Sequence, residues 1–395
     1  MHLITTLDIG GTEIQLANLL KRMDHIRFEH CVVSLINAGP VGETIRAQGI
    51  PVHSLGMKRS VPSVSAVWKL WKLMRTEKAQ ILQTWLYHAD LLGLLVGKLT
   101  RVPVLAWNIR CAFMDMENYP KLSKLVVQLL SRLSGIPDVV VVNSEAGRES
   151  HVELGYRPKR FELIPNGFEL DRFRPDSFAR ESIRKELQLS EEAVIIGLVA
   201  RHDPMKDHHT FLAAAHKVNA AYPHAYFILC GTQVDAENPV LIQLIEMYGL
   251  SRCVRLLGPR QDISRITAAF DIACSTALGE GFCNAIGEAM ASGVPCVVTD
   301  VGDSAQIVSQ TGQVVPVRNA DAFGKAICDL IQCGHEGRKR LGMQARARIQ
   351  RFDVSAMALR YEQLYYSLVQ RTLSETDQTR RAHDYAKNST AGFSK

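Results

Sequence analysis

The chain has 395 residues, 47% of them apolar and 22% charged, a composition that suits two folded domains and excludes a disordered or fibrous protein. Its 46 Lys and Arg against 40 Asp and Glu leave a formal charge of +6, too mild to mark a nucleic-acid binder. Nine cysteines stand singly from Cys31 to Cys333, without a C-x-x-C pair or a Cys/His spacing suited to zinc. They are expected to be reduced, mostly buried small apolar residues in a cytoplasmic protein.

Met1 to Gly11 runs straight into a strand and a glycine turn, without the basic start, apolar run and small-residue cleavage site of a signal peptide. Short apolar runs then alternate with helical patterns. Strands are predicted at 1–7, 31–36, 50–54, 80–84, 102–108, 138–143 and 161–164, and again at 193–200, 224–230, 253–257, 270–275, 294–299 and 313–317. Most are continuous Val/Ile/Leu runs, the mark of parallel strands covered on both faces, and helices between them imply βαβ units. The expectation is an α/β protein of two doubly wound, Rossmann-like domains. Pro165, Asn166, Gly167, Asp171, Pro175 and Asp176 interrupt regular structure and place the boundary near 165–178. From Arg371 the chain is polar and is expected to be a disordered tail over 371–395. No stretch reaches the roughly 18 apolar residues of a membrane-spanning helix.

Three local patterns carry chemistry. After the first strand, Gly10-Gly11 forms a turn and a helix begins, with Thr12 as N-cap and Gln15 completing a capping box. Such a helix start points free N–H groups at the space above the sheet, and two glycines allow a phosphate or sugar to come close. Arg201 and Lys206 follow a buried strand that ends at Ala200, and Asp207 caps the next helix. Cations at the carboxyl end of a parallel strand lie where open α/β sheets bind ligands, and suit a diphosphate. In Glu280-Gly281-Phe282-Cys283-Asn284, a glycine loop leads into a short helix with Asn284 as N-cap, Glu288 one turn on and Gly293 past its end. A carboxylate there can grip two vicinal sugar hydroxyls. Separately, 62–79 reads as an amphipathic helix in which Trp68 and Trp71 accompany Lys69, Lys72, Arg75 and Lys78, a pattern suited to an anionic membrane surface.

The third pattern resembles the E-x7-E element of family 4 of the retaining glycosyltransferases: Glu280-Gly281-Phe282, Glu288-Ala289-Met290-Ala291 and Gly293-Val294-Pro295 all fall at the family's spacing. Arg201 and Lys206 fall at its diphosphate-binding pair and Gly10-Gly11 at its N-terminal turn. Ile164-Pro165-Asn166-Gly167 resembles its interdomain stretch, and Thr311-Gly312 its turn near the last strand. The likeness runs from about residue 1 to about 368. It implies the GT-B fold, with an acceptor domain over 1–170, a nucleotide-sugar domain over 171–353 and a helix near 354–369 packing back on the first. It also implies that Glu288 holds the donor ribose and that Glu280 contacts the transferred sugar. Arg201 and Lys206 would neutralise the leaving diphosphate. Backbone N–H groups near Phe282, Cys283 and Asn284 would reach sugar or phosphate, and Arg260 in Gly258-Pro259-Arg260-Gln261 would lie where the base is read.

The chain departs from the family twice. Val301-Gly302-Asp303-Ser304-Ala305-Gln306 stands where many members have Gly-Gly and a Glu, and the fifth strand ends in Arg110 where a His is common. His88, ending the preceding strand, faces the same cleft, so Arg110 and His88 are the candidates for the acceptor side. The chain has no D-x-D, so no metal or other cofactor is expected. The function expected is retaining transfer from a UDP- or GDP-linked sugar to a glycan or lipid-linked acceptor, in envelope polysaccharide synthesis, with peripheral contact to the inner membrane face. A nucleotide-sugar epimerase of the same architecture and a non-catalytic sugar-nucleotide scaffold are the rivals.

Overall fold

The computed structural model describes residues 1–58, 63–112 and 121–391, with side chains to 374. It holds two all-parallel sheets. The first contains β1 (His2–Ile4), β2 (Val32–Ser34), β3 (Val52–Ser54), β4 (Ile81–Trp85), β5 (Val104–Ile109), β6 (Val139–Val142) and β7 (Phe161–Leu163), in the order β3-β2-β1-β4-β5-β6-β7. The second contains β8 (Val194–Val199), β9 (Ala225–Cys230), β10 (Val254–Leu256), β11 (Ile272–Ser275), β12 (Cys296–Thr299) and β13 (Gln313–Val315), in the order β10-β9-β8-β11-β12-β13. All thirteen lie on the apolar runs predicted. Continuous runs such as Val139–Val142 are buried at every position because helices cover both sheet faces.

Strand order reverses between β1 and β4 in one sheet and between β8 and β11 in the other. Beyond the carboxyl ends at such a switch point the connections diverge and leave a crevice for a ligand. Every predicted donor-site element except the Arg260 loop, which follows β10, leaves one of those four strands or the helix after it.

The chain crosses between the domains twice, and the crossings pair. Phe168 N–H donates to Phe352 O (2.9 Å) and Val354 N–H to Phe168 O (3.0 Å). The helix Val354–Ala391 then returns to the first domain. Its Val354, Met357, Tyr361, Leu364 and Leu368, spaced by three or four, are buried with Leu16, Leu20 and Trp85. Asn108 Nδ2 donates to the Tyr361 hydroxyl (2.8 Å) and the Tyr365 hydroxyl to Gln83 Oε1 (3.2 Å), so buried polar groups of the sheet are satisfied by this helix.

Three expectations are corrected. The segment after Arg371 continues the same helix to Ala391. Its composition is polar, but it holds no Gly or Pro that would end a helix already nucleated against the core. The capping box at Thr12 and Gln15 does not form. Gly10 is the N-cap, and Gln15 instead clamps Gly167, accepting from its N–H and donating to its C=O, both at 3.0 Å. A buried backbone N–H and C=O at the crossing need partners more than a helix end that water can reach. Asn284 is likewise the first helical residue after the N-cap Cys283, because its side chain turns to the other domain. In the basic helix, which spans Val64–Thr76, Trp68 is 59% exposed while Trp71 packs partly against the core.

Candidate active site

The loop after β8 is rigid. Asp203 accepts from Met205 N–H (2.9 Å) and Asp207, in the left-handed region at φ 46°, caps the helix His208–Ala221 by accepting from Thr210 N–H (3.1 Å). Lys206 is held between these caps. The loop after β11 is tied to it, since Thr276 Oγ1 donates to Lys206 O (2.9 Å) and Leu278 N–H to Met205 O (2.8 Å). The tie brings Lys206 Nζ onto the Glu280 carboxylate as an ion pair, with side chains only 22% and 16% exposed. Burial by itself would lower the Lys206 pKa, but Glu280 overrides it and the ammonium is held above its ordinary value. Arg201 is different. It is 62% exposed and forks onto Asp203 through Nε (3.0 Å) and Nη2 (2.8 Å), at the rim of the crevice.

The Glu280 loop is backed from behind. Gly302 has φ +54°, and a Cβ there would sit 2.0 Å from Glu280 O, so only glycine fits. Gly281 lies against the first domain, where a Cβ would come 3.1 Å from Asn143 Oδ1. Phe282 and Cys283 are core side chains, Phe282 stacking on Phe168 with ring centroids 6.0 Å apart, so only their backbone can serve a ligand. The helix Asn284–Ala291 starts without a side-chain cap, which leaves its first-turn N–H groups directed at the crevice. One turn on, the Glu288 carboxyl is enclosed although the residue keeps some surface. Burial raises its pKa to about 7, with Arg172 opposing and Glu169 adding to the rise.

The first domain closes on these groups. Gly10 and Gly11 do not leave an empty turn: a Cβ on Gly10 would fall 2.3 Å from Glu13 Oε2, and one on Gly11 2.9 Å from Asn284 Nδ2. Glu13 is buried at the head of the helix Gly11–Arg22, and burial raises its pKa despite Arg201 and Arg110 nearby. Arg110 is buried over Trp85, 5.3 Å from the ring centroid, and its Nη2 donates to Asn166 Oδ1 (2.5 Å). Among the described residues its Nε and Nη1 make no hydrogen bond of good geometry, although the Tyr361 hydroxyl lies near enough to favour the charged guanidinium. Asn166 joins both domains, donating through Nδ2 to Asn284 Oδ1 (2.6 Å). Asp303 ties them again by accepting from Glu145 N–H (3.0 Å) and Ala146 N–H (3.1 Å), at the start of the helix Glu145–Glu153.

Lys206 is thus paired with Glu280, and Asn284, four residues further along, meets Gly11 and Asn166 of the first domain, while Arg201 stands exposed beside Asp203. Arg260 is not among them. It is bound to Asp262 (2.8 Å) and Glu186 (2.8 Å) in a network that Arg265 completes. His88 lines a separate apolar cavity and does not contact Arg110's hub at Asn166. Sequence reasoning passed over Glu13, Asn143 and Gly302 as site-forming residues, and took Asn166 and Asp303 only as members of a turn and a divergent loop. Glu13 had no signal beyond its place in a first helical turn.

Residues 9–172 match the family model of glycosyltransferase family 4, and residues 193–333 that of glycosyl transferases group 1. The chain is a family 4 glycosyltransferase. Among its relatives is the UDP-Gal:α-D-GlcNAc-diphosphoundecaprenol α-1,3-galactosyltransferase of Escherichia coli, 26% identical over 293 residues that make up 72% of this chain and 74% of that one. A D-inositol 3-phosphate glycosyltransferase of Corynebacterium urealyticum is 32% identical over 208 residues, 49% of each chain. The HepE protein of Anabaena, solved with UDP-glucose, superposes with a TM-score of 0.79 at 21% identity, covering 93% of this chain and all of that one, and so shares the GT-B fold. Among the described residues of this glycosyltransferase no helix is long and apolar enough to cross a membrane.

The Glu288 shift sets a pH dependence. A carboxyl raised from 4.5 to about 7 on folding favours the folded state while protonated, and that contribution is lost as pH rises through about 7. The ligand-free enzyme should therefore lose thermal stability between about pH 4.5 and about 7, and Glu288→Gln should flatten this part of the profile in melting curves. An unchanged profile in the variant would show that the enclosed carboxyl does not titrate as described.

Proposed function

We propose that this glycosyltransferase moves a sugar, with retention and without a metal, from a UDP- or GDP-linked donor in the second domain to a hydroxyl of a lipid-linked glycan in the first. The carrying observation is the Lys206–Glu280 pair, held in the loops that follow the two strands flanking the switch point of the second sheet.

As the glycosidic bond breaks, the departing diphosphate gains charge. A fixed ammonium beside it is worth more in the transition state than in the ground state. Lys206 supplies that charge, the uncapped start of the helix Asn284–Ala291 adds a partial one, and Arg201 at the rim can exchange Asp203 for a phosphate. Glu280 keeps Lys206 aligned and accepts from hydroxyls of the transferred sugar. Glu288 accepts from the ribose. The transition state is oxocarbenium-like; with Glu280 engaged by Lys206, attack by the acceptor on the face the diphosphate leaves is the route this reading takes. A uridine donor is supported by the UDP-glucose of the Anabaena structure, and a diphosphate-lipid acceptor by the name of the Escherichia coli relative. Arg110, with two donors that lack a well-formed hydrogen bond among the described residues, and His88 serve the acceptor side. The basic helix Val64–Thr76, with Lys69, Lys72 and Arg75 exposed, rests on anionic lipid at the inner membrane face.

With UDP- and GDP-sugars offered to a lipid-linked glycan, Lys206→Ala should lower kcat by about 10²–10³ with a modest change in donor KM. Glu288→Ala should raise donor KM with little loss in kcat, because ribose hydroxyls change little during reaction. EDTA should leave the wild-type rate intact, and the product anomer read by NMR should match the donor's. A Lys206→Ala enzyme impaired only in donor KM would reduce that residue to a binding role. Arg110→Ala should raise acceptor KM more than donor KM; equal changes would remove it from the acceptor side. Flotation should show the wild type on anionic vesicles, and the change of Lys69, Lys72 and Arg75 to Glu should release it; retained binding would place the contact elsewhere.

A further inference from the structure

The first domain holds a cavity of about 920 Å³, with His88 at one end, whose apolar length none of these roles uses. It lies between the helices Val64–Thr76, Tyr87–Thr100 and Lys121–Leu133. One stripe of the middle helix lines it along its length: His88, Leu91, Leu92, Leu95 and Leu99, spaced by three or four. From His88 to Leu99 that stripe spans about 16 Å.

The two ends differ chemically. Thr5 and His88 follow the carboxyl ends of β1 and β4, the strands that flank the switch point, so this end of the cavity lies on the same edge of the sheet as the crevice. Among the described residues Thr5 Oγ1 and His88 Nε2 have no hydrogen-bond partner, and burial lowers the imidazole pKa. Exposed Lys58 lies on the same side. At the far end Leu95 and Leu99 are 51% and 60% exposed, beside Lys98. A helix stripe that serves only the core would be covered along its whole length. This one runs from buried polar atoms at the carboxyl edge of the sheet, near Lys58, to bare leucines at the surface beside Lys98.

We propose that the channel takes the hydrocarbon chain of a lipid-diphosphate-linked glycan acceptor. The chain lies along the helix from His88 to Leu99 and emerges at Leu95, and the anionic head meets Lys58 and the unpaired Thr5 and His88. The assignment rests on the lipid-linked acceptor proposed above. A soluble glycan would leave the apolar walls wet, and a folded protein partner would account for the exposed leucines but not for the polar atoms at the inner end.

The test compares, in detergent, one glycan diphosphate on a long polyprenyl chain with the same head on two isoprene units. Leu95→Glu/Leu99→Glu changes exposed positions and so should leave folding intact. It should raise the KM of the long acceptor at least about tenfold, since excluding even two methylenes from a protein surface is worth that much. The KM values of the short acceptor and of the donor should not move. Equal effects on both acceptors, or none, overturn the proposal. So does an unaltered long-acceptor KM together with lost binding to acceptor-free anionic vesicles, which would make the leucines a membrane-insertion surface. Wild-type transfer to a methyl glycoside but to neither lipid acceptor would instead refute the lipid-linked reading itself.

Discussion

The paired crossing at Phe168 and Val354 is the constraint on which the site depends. Two backbone hydrogen bonds hold the outgoing and returning chain side by side, and Gln15 clamps Gly167 from the first domain. The approach is so close that a Cβ on Gly167 would lie 2.6 Å from Val354 Cα. Asn166, next in the chain, then reaches β5 through Arg110 and the short helix of the second domain through Asn284.

The charges in the crevice follow from that closure. Lys206 and Glu280 are desolvated together, which is tolerable only because each neutralises the other; removing one partner leaves a buried charge alone. Glu13 and Arg110 are also buried close to one another, and two guanidinium nitrogens lack a well-formed hydrogen bond among the described residues. Buried donors in that condition are costly in an empty site and become favourable when an anion or hydroxyl arrives. The second domain thus offers a completed ion pair for a leaving group, while the first offers unmet donors for an incoming molecule.

The returning helix contributes in a different way. Tyr361 and Tyr365 close polar groups of the first sheet that would otherwise be orphaned, while Val354 and Met357 pack beside the crossing. Its apolar stripe stops at Leu368, yet the helix continues to Ala391, because helix propagation needs no tertiary contact once the first turns are anchored.

What the sequence by itself determined is the set of strands, the two-domain division and the residues at the strand ends. Continuous Val/Ile/Leu runs are decisive for buried parallel strands, and Arg201, Lys206, Glu280 and Glu288 fall at the spacing of the family the chain resembles. Asp207 as a helix cap is a local matter of one side chain. Only the tertiary structure decided which side chains face one another across the domains. Gln15 could cap its own helix or clamp Gly167, Asn284 could cap or meet Asn166, and Arg260 could face the crevice or join Asp262 and Glu186. In each case the local option was satisfiable by water, whereas the distant one satisfies buried groups or a fixed carboxylate pair, and burial is a property that residues far apart in the chain create together.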